Sequence, residues 1–309
     1  MNKIFTIIQV VAPIFLAVAL GMLARKKAMF TTEQIQSLQS FIVKICLPCL
    51  LFRSCLTADL GPQTLTSMVI VIPFLVISTV WAFRLGRKKF PYHNLPMMFC
   101  CRETGMLGIP LFMILFGADQ AYRMGVLDLA QSMTAIPTIA ILTAATGENV
   151  SPAYVIKRVF SSPLMILSIL GLTLNISGVG AWMDSVGLRD VLTECTGFLG
   201  QPISALMIFA VGYNFSLEKE SGAAIFRLSL THFVYFALWG LVIQGLLFLV
   251  PGVDALTRWA ILLYTTLPAS YLAPSLGRKQ EDYTMASGVC SVLTIPALIV
   301  FCIIAVIVS

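Results

Sequence analysis

Long apolar runs, separated by short loops, occupy almost the whole chain. Ten of these runs approach the roughly 20 residues that an α-helix needs to cross a hydrocarbon core about 30 Å thick. Lipid offers the backbone no hydrogen bonds, and the alternating segments of a strand barrel do not occur, so the runs should be helices. The predicted fold class is therefore an all-α integral membrane protein. Its spans 1 to 10 are placed at approximately 4–24, 35–56, 65–85, 94–117, 122–146, 153–177, 190–214, 225–250, 257–276 and 284–308.

The composition excludes a soluble globule. Of the 309 residues, 58% are hydrophobic and only 11% are charged, whereas soluble domains carry about 25% charged residues. The net charge of +6 comes from short clusters between apolar runs, so it does not indicate a nucleic-acid partner. The first run is longer than the ~7–15 apolar residues of a signal peptide, and we expect it to be retained as span 1.

Basic residues predict the orientation. Thirteen Lys and Arg residues lie in loops that follow odd-numbered spans, and five lie on the opposite side. Since basic loops stay in the cytoplasm, the odd-to-even loops should be cytoplasmic. The chain is thus expected to be a multi-pass protein with both termini extracytoplasmic.

The spans divide into two sets of five, at residues 1–147 and 148–309. Five is an odd number, so the second set must enter the membrane in the opposite orientation, as an inverted repeat. Both sets have a proline inside their second span, Pro48 in span 2 and Pro202 in span 7. A single proline often only kinks a membrane helix, but matched interruptions in two halves are typical of inverted-repeat transporters.

The fourth span of each half carries a stronger interruption. Span 4 contains Gly108, Ile109 and Pro110, and span 9 contains Pro268 and Pro274. Proline removes a backbone hydrogen bond, which lipid-exposed helices do not tolerate unless neighbours or cavity water replace it. We therefore expect broken helices 4 and 9 to cross near the midplane and to form a binding site there.

Two adjacent charges lie in span 4, before the expected break. A charge at the bilayer centre costs about 2.5–3.5 kcal/mol, so Arg102 and Glu103 are candidates for function. Neighbours on a helix point about 100° apart, so the two should not pair with each other. Glu103 could accept a proton or hold a cation, and Arg102 could bind a carboxylate. Alternatively, Arg102 extends to the cytoplasm with Glu103 as its solvated neighbour.

Further polar residues lie in spans 5 and 9. Asp128 and Gln131 form a polar patch on an otherwise apolar helix, and Asp128 fits a proton relay or a helix-packing hydrogen bond equally well. In span 9, Ser270 and Tyr271 lie between the two prolines. The exposed N-terminal end of a half-helix carries partial positive charge and suits an anion.

The sequence contains none of the motifs that would indicate an enzyme. It has no G-x-x-x-x-G-K-[ST] loop for ATP, its two histidines are too few for a histidine-rich metal site, and no catalytic cluster stands out. We expect no cofactor and no metal. A secondary transporter is favoured over a channel because no filter loop occurs and the two halves suit alternating access. A membrane sensor is the third alternative.

Four segments resemble a known family. These are FIVKICLPCLLF in span 2, ETGMLGIPLFMILFG in span 4, TLPASYLAP in span 9 and MASGVCSVLTIPALIVF in span 10. In order, spacing and length they are similar to the auxin efflux carrier family, which includes plant PIN-type carriers and bacterial malonate-type permeases.

The resemblance implies two inverted five-helix repeats, with a site for a small organic anion where helices 4 and 9 cross. It implies a scaffold of spans 1, 2, 6 and 7, a transport part of spans 3–5 and 8–10, and an elevator-like or rocking movement without ATP. Our leading hypothesis is that transport of the anion is linked to protons. The expected location is a bacterial-type inner (plasma) membrane, and pairing through scaffold helices would give a homodimer.

One position departs from the family pattern. Glu103 occupies the place of a span 4 Asn that helps to hold the substrate carboxylate in PIN-type carriers. An ionised Glu would repel a carboxylate. Three explanations stay open: Glu103 is protonated when substrate binds, Arg102 compensates, or the substrate is not a monocarboxylate.

Overall fold

The structure, a computed structural model, describes residues 2–58, 62–144, 157, 161, 163–177, 179–215, 222–250 and 252–308. These residues are almost entirely helical, and the strand-like pairing among them is one isolated bridge between Arg102 and Ala269. The α-helices are α1 (Asn2–Lys26), α2 (Thr32–Phe41), α3 (Leu47–Leu56), α4 (Pro62–Lys88), α5 (Leu95–Cys100), α6 (Ile109–Phe116), α7 (Ala121–Ala144), α8 (Pro163–Ile176), α9 (Val179–Ser185), α10 (Leu188–Gly200), α11 (Ile203–Asn214), α12 (Gly222–Leu249), α13 (Ala255–Thr266) and α14 (Gln280–Val308).

Within the described part of the chain, five helical stretches are long and apolar enough to cross a membrane. They are Thr32–Leu56, Thr66–Gly86, Leu188–Asn214, Gly222–Leu249 and Gln280–Val308. Shorter apolar helices lie in spans 4 and 6. The end of span 5 and the start of span 6 fall outside the described residues, so the arrangement of ten helices as inverted repeats stays a prediction.

Spans 2 and 7 continue as single helical stretches past their prolines, so the expected interruption is only a local irregularity there. In span 2 a π-helix, Ile42–Cys46, leads into α3, which has Pro48 in its first turn. In span 7 a turn at residues 201 and 202 joins α10 to α11. Proline removes one backbone donor, and such local irregularities are typical of helices that contain it.

The interruption in span 4 lies earlier than the sequence predicted. The expected break at Gly108–Pro110 is wrong in position, because Pro110 lies in the first turn of α6 and a π-helix, Thr104–Gly108, runs directly into that turn. The chain instead leaves the helix at residues 101–103, with Cys101 at φ −126°, ψ 137°. We call residues 101–103 the span 4 break.

The interruption predicted in span 9 is confirmed. Helix α13 ends at Thr266, and a short 3₁₀-helix, Ala273–Leu276, contains Pro274. We call residues 267–272 the span 9 break.

The helices pack in two groups. In the first, α1 packs on α11, and α3 packs on α8 and α10. In the second, α4 packs on α5 and α7, and α12 packs on α13 and α14. Glycines permit the closest approach in the first group: a Cβ on Gly212 would lie 2.2 Å from the Val18 oxygen. The groups meet where α3 contacts α7, α6 contacts α11 and α1 contacts α14.

Two contacts join segments near the predicted loops. Arg123 and Asp254, which follow spans 4 and 8, form an ion pair at 2.7 Å. The backbone N–H of His93, after span 3, donates to Asp282, after span 9, at 3.1 Å. Each contact joins segments that helices running alternately across a membrane would place on the same side.

Candidate functional site

The two breaks pair with each other. The N–H of Glu103 donates to the carbonyl of Pro268 at 3.0 Å, and the N–H of Ser270 donates to the carbonyl of Cys101 at 3.1 Å. A broken helix leaves backbone donors and acceptors without partners, and in an apolar surrounding these groups must be paired. Each break therefore supplies the hydrogen bonds that the other lacks.

The Glu103 carboxylate ties the breaks together a second time. One oxygen, Oε1, accepts from the N–H of Met106 at 3.2 Å, and the other, Oε2, accepts from the N–H of Tyr271 at 2.6 Å. The residue is only 7% exposed, and no Lys or Arg forms an ion pair with it among the described residues. A buried carboxylate held by neutral donors, without a cation beside it, is costly to keep charged.

Gln131 on α7 is the most connected side chain beside the breaks. Its Oε1 accepts from the N–H of Arg102 at 2.9 Å and from the hydroxyl of Tyr264 at 3.0 Å. Its Nε2 donates to the carbonyl of Arg102, to Thr104 Oγ1 and to Asp128 Oδ1. The same Asp128 oxygen accepts from the Thr104 hydroxyl. Asp128 therefore makes the helix-packing hydrogen bond that its sequence position allowed, and α7 holds the span 4 break in place.

Arg102 is enclosed by its own span and a neighbouring helix. Its guanidinium donates to the Met98 carbonyl at 2.7 Å, contacts Nε2 of His232 at 2.7 Å and lies 3.5 Å from the centre of the Phe236 ring. Arg102 is 1% exposed, so the alternative in which it extends to the cytoplasm is wrong. The side chains of Arg102 and Glu103 thus have different partners.

The Gly108 segment serves packing. A Cβ on Gly108 would lie 2.6 Å from Leu267 Cδ1 and 2.7 Å from Met124 Cε, so glycine lets span 4 approach the span 9 break. Ile109 and Pro110 are buried in the first turn of α6.

The span 9 residues divide by role. The backbone of Pro268 and Ser270 pairs with the span 4 break, while the Tyr271 hydroxyl reaches Thr294 on α14 at 3.0 Å. Pro274 lies beyond the break, at the start of the 3₁₀-helix.

Three residues of this site were missed by the sequence analysis: Thr104, His232 and Tyr264. Thr104 follows the charge pair directly, and His232 is a lone histidine in an apolar run; both were usable signals. Nothing in the pattern distinguished Tyr264 from other aromatic residues of the core.

Two titratable groups outside the spans have shifted pKa values. Burial would raise the pKa of Asp254, but hydrogen bonds from Thr257 and the charge of Arg123 outweigh it, so the pKa lies below its ordinary value. Burial, followed by the nearby positive charge of Arg278, lowers the pKa of His93.

A comparison with protein families finds one match. A model described as membrane transport protein matches residues 6–308, which is nearly the full chain. No curated protein matches the sequence.

Proposed function

Because the chain belongs to the membrane transport protein family, that of the auxin efflux carriers, we propose that it is a secondary transporter of a small organic anion. The expected ligand is a carboxylate, the coupling ion is the proton, and the site is the crossing of spans 4 and 9. The location that we propose is a bacterial-type inner (plasma) membrane, with both termini outside.

The observation that carries this proposal is the double attachment of Glu103. Its two oxygens accept from Met106 in span 4 and from Tyr271 in the span 9 break. Protonation removes acceptor capacity from one oxygen, so one of these attachments weakens when a proton binds. Proton binding would thus loosen the crossing, which couples protonation to the geometry of the site.

The position of Arg102 supports a protonated Glu103 over a compensating arginine. The guanidinium is enclosed by Met98, His232 and Phe236, whereas the Glu103 carboxylate lies on the breaks themselves. A neutral Glu103 would no longer repel a carboxylate ligand. A substrate other than a monocarboxylate stays the alternative.

The packing of the helices supports alternating access. The first group contains the helices of spans 1, 2, 6 and 7, and the second contains those of spans 3, 5, 8, 9 and 10 and the first half of span 4. The two breaks, which pair with each other, are surrounded by α7, α12, α13 and α14. Movement of these helices along the first group would carry the crossing between the two sides of the membrane.

The test is uptake by the full-length protein in proteoliposomes. A thermal-shift screen of mono- and dicarboxylates at two pH values selects the substrate, which is then supplied in radiolabelled form. Glu103→Gln keeps one acceptor oxygen but replaces the other with an amide, so it imitates the protonated acid. We expect it to exchange substrate without responding to a pH gradient. The control is Glu33→Gln, at the exposed start of α2.

Undiminished pH-driven uptake by Glu103→Gln would contradict the coupling role of Glu103. Uptake that rises linearly with substrate concentration and never saturates would favour a channel instead.

A further inference from the structure

A polar cavity of about 420 Å³ opens where the two packing groups meet. Arg53 and Thr57 from the end of span 2 and Thr193 from α10 line one wall. Asp119 and Arg123, from the loop before α7 and from α7 itself, line the other. Two arginines thus face a cavity that is bounded by both groups.

The two arginines are held very differently. Arg123 contacts both carboxylate oxygens of Asp254, at 2.9 and 2.7 Å, and its side chain is 9% exposed. Arg53 makes one contact of 3.3 Å to Asp119, whose side chain is 66% exposed. Exposed ion pairs with a single long contact contribute little to stability. Asp119 can therefore leave Arg53 for water, whereas Asp254 is fixed.

Arg53 also has a hydrogen-bond donor that no residue uses among those described. Its buried Nε atom has no hydrogen-bond partner among the described residues. The guanidinium lies against α10, where a Cβ on Gly197 would be only 2.2 Å from Nη1. The arginine is thus positioned by the backbone of α10 rather than by its carboxylate partner.

A second cavity adjoins the first at this arginine. It has a volume of about 280 Å³, and its lining includes Arg53, Met113 of α6 and Gln201 at the kink between α10 and α11. Helix α6 is the second half of span 4. Arg53 therefore lies between the polar cavity and a space that runs beside the broken helix.

We propose that Arg53 is the anion-binding residue of a vestibule and that Asp119 is its resident counter-ion, which an arriving carboxylate displaces. This inference rests on the proposed function for its substrate class, an organic anion. A guanidinium presents parallel N–H donors that match both oxygens of a carboxylate. Charge stays balanced, since one carboxylate replaces another. Because Arg53 lies at the end of span 2 and Asp119 in the segment that joins α6 to α7, the exchange also removes an ion pair between these two segments.

The test measures the charge of the vestibule with two thiol reagents. Thr57→Cys serves as the reporter in full-length protein that also carries Cys195→Ser, since Cys195 is exposed. The reagents are the anionic sulfonatoethyl and the cationic trimethylammonioethyl methanethiosulfonates. The ratio of their reaction rates, anionic over cationic, reports the local potential.

Asp119→Asn leaves Arg53 without its counter-ion and should raise this ratio about tenfold, while Arg53→Gln should lower it. The control is Asp184→Asn, which breaks a comparable exposed ion pair of Arg189 at 3.0 Å outside the cavity and should leave the ratio unchanged. Acetate or succinate should slow the reaction in the parent protein, more strongly after Asp119→Asn, and not after Arg53→Gln. If Arg53→Gln does not fold, Arg53→Lys should keep the ratio and weaken the protection.

An Asp119→Asn ratio no higher than that of Asp184→Asn would overturn the proposal, and so would equal protection of parent and Arg53→Gln protein by carboxylates. The measurement needs no transport. If uptake does not depend on the pH gradient but the ratio of reaction rates changes as expected, only the coupling role of Glu103 is rejected. If uptake depends on the pH gradient but the ratio does not change, only the vestibule is rejected.

Discussion

Replacing Gln131 with leucine should destabilise the protein more than its single side chain suggests. The side chain is 6% exposed. Its Nε2, with two hydrogens to donate, has three acceptors within hydrogen-bond distance, and its Oε1 accepts two hydrogen bonds. Leucine fills a similar volume but makes none of them. The N–H of Arg102 and the hydroxyl of Tyr264 would then be buried without a partner.

Two estimates of the stability lost by Gln131→Leu agree. An orphaned buried group costs about 1–3 kcal/mol, so two of them cost about 2–6 kcal/mol. Hydrogen bonds between membrane helices average about 0.6 kcal/mol each, which makes about 2.4 kcal/mol for the four to residues outside α7. We therefore expect Gln131→Leu to lower the free energy of unfolding by about 3 kcal/mol.

Unfolding in mixed detergent micelles by added sodium dodecyl sulfate, followed by circular dichroism, measures this difference. Gln36→Leu, on the exposed face of α2, is the matched control for the gain in hydrophobicity. If Gln131→Leu unfolds within about 1 kcal/mol of the parent, the hydrogen bonds at the break are not what holds it, and the reasoning fails.

Three further predictions concern packing and pH. Gly212→Ala should cost about 1–3 kcal/mol, because its Cβ would lie 2.2 Å from the Val18 oxygen, whereas Gly245→Ala meets nothing within 4 Å and should not destabilise; thermal melting of both variants checks this. The pKa of Asp254 lies below its ordinary value of 3.8 in the folded protein, so its stabilising effect should be present above about pH 4 and be lost as the pH falls further. The difference in melting temperature between parent and Asp254→Asn should therefore shrink below that pH, and a constant difference would contradict it. The lowered pKa of His93 affects stability in the same direction, because the unfolded chain binds the proton at a higher pH than the folded protein does. The free energy of unfolding should therefore fall as the pH drops through 6.5. His93→Gln should make the melting temperature less dependent on pH in this range.

The candidate site was only partly predictable. Glu103, Asp128 and Gln131 stood out because polar residues in apolar runs are rare and need partners. Their partners were not predictable, because they come from other spans: Tyr271 for Glu103, and Thr104 for Asp128. The sequence left the direction of Arg102 open, and only the structure shows that it is enclosed against His232 and Phe236.

The sequence by itself determined that this is a multi-pass helical membrane protein and, through its resemblance to a family, a transporter. The first conclusion depends on apolar length and charge along the chain, which are one-dimensional properties. Only the tertiary structure decided where span 4 breaks. Glycine and proline mark places where a helix can be interrupted, but the interruption occurs where the freed backbone groups find partners. Here the carbonyl of Pro268 and the N–H of Ser270 pair with residues 101–103, which are more than 160 residues away in the sequence.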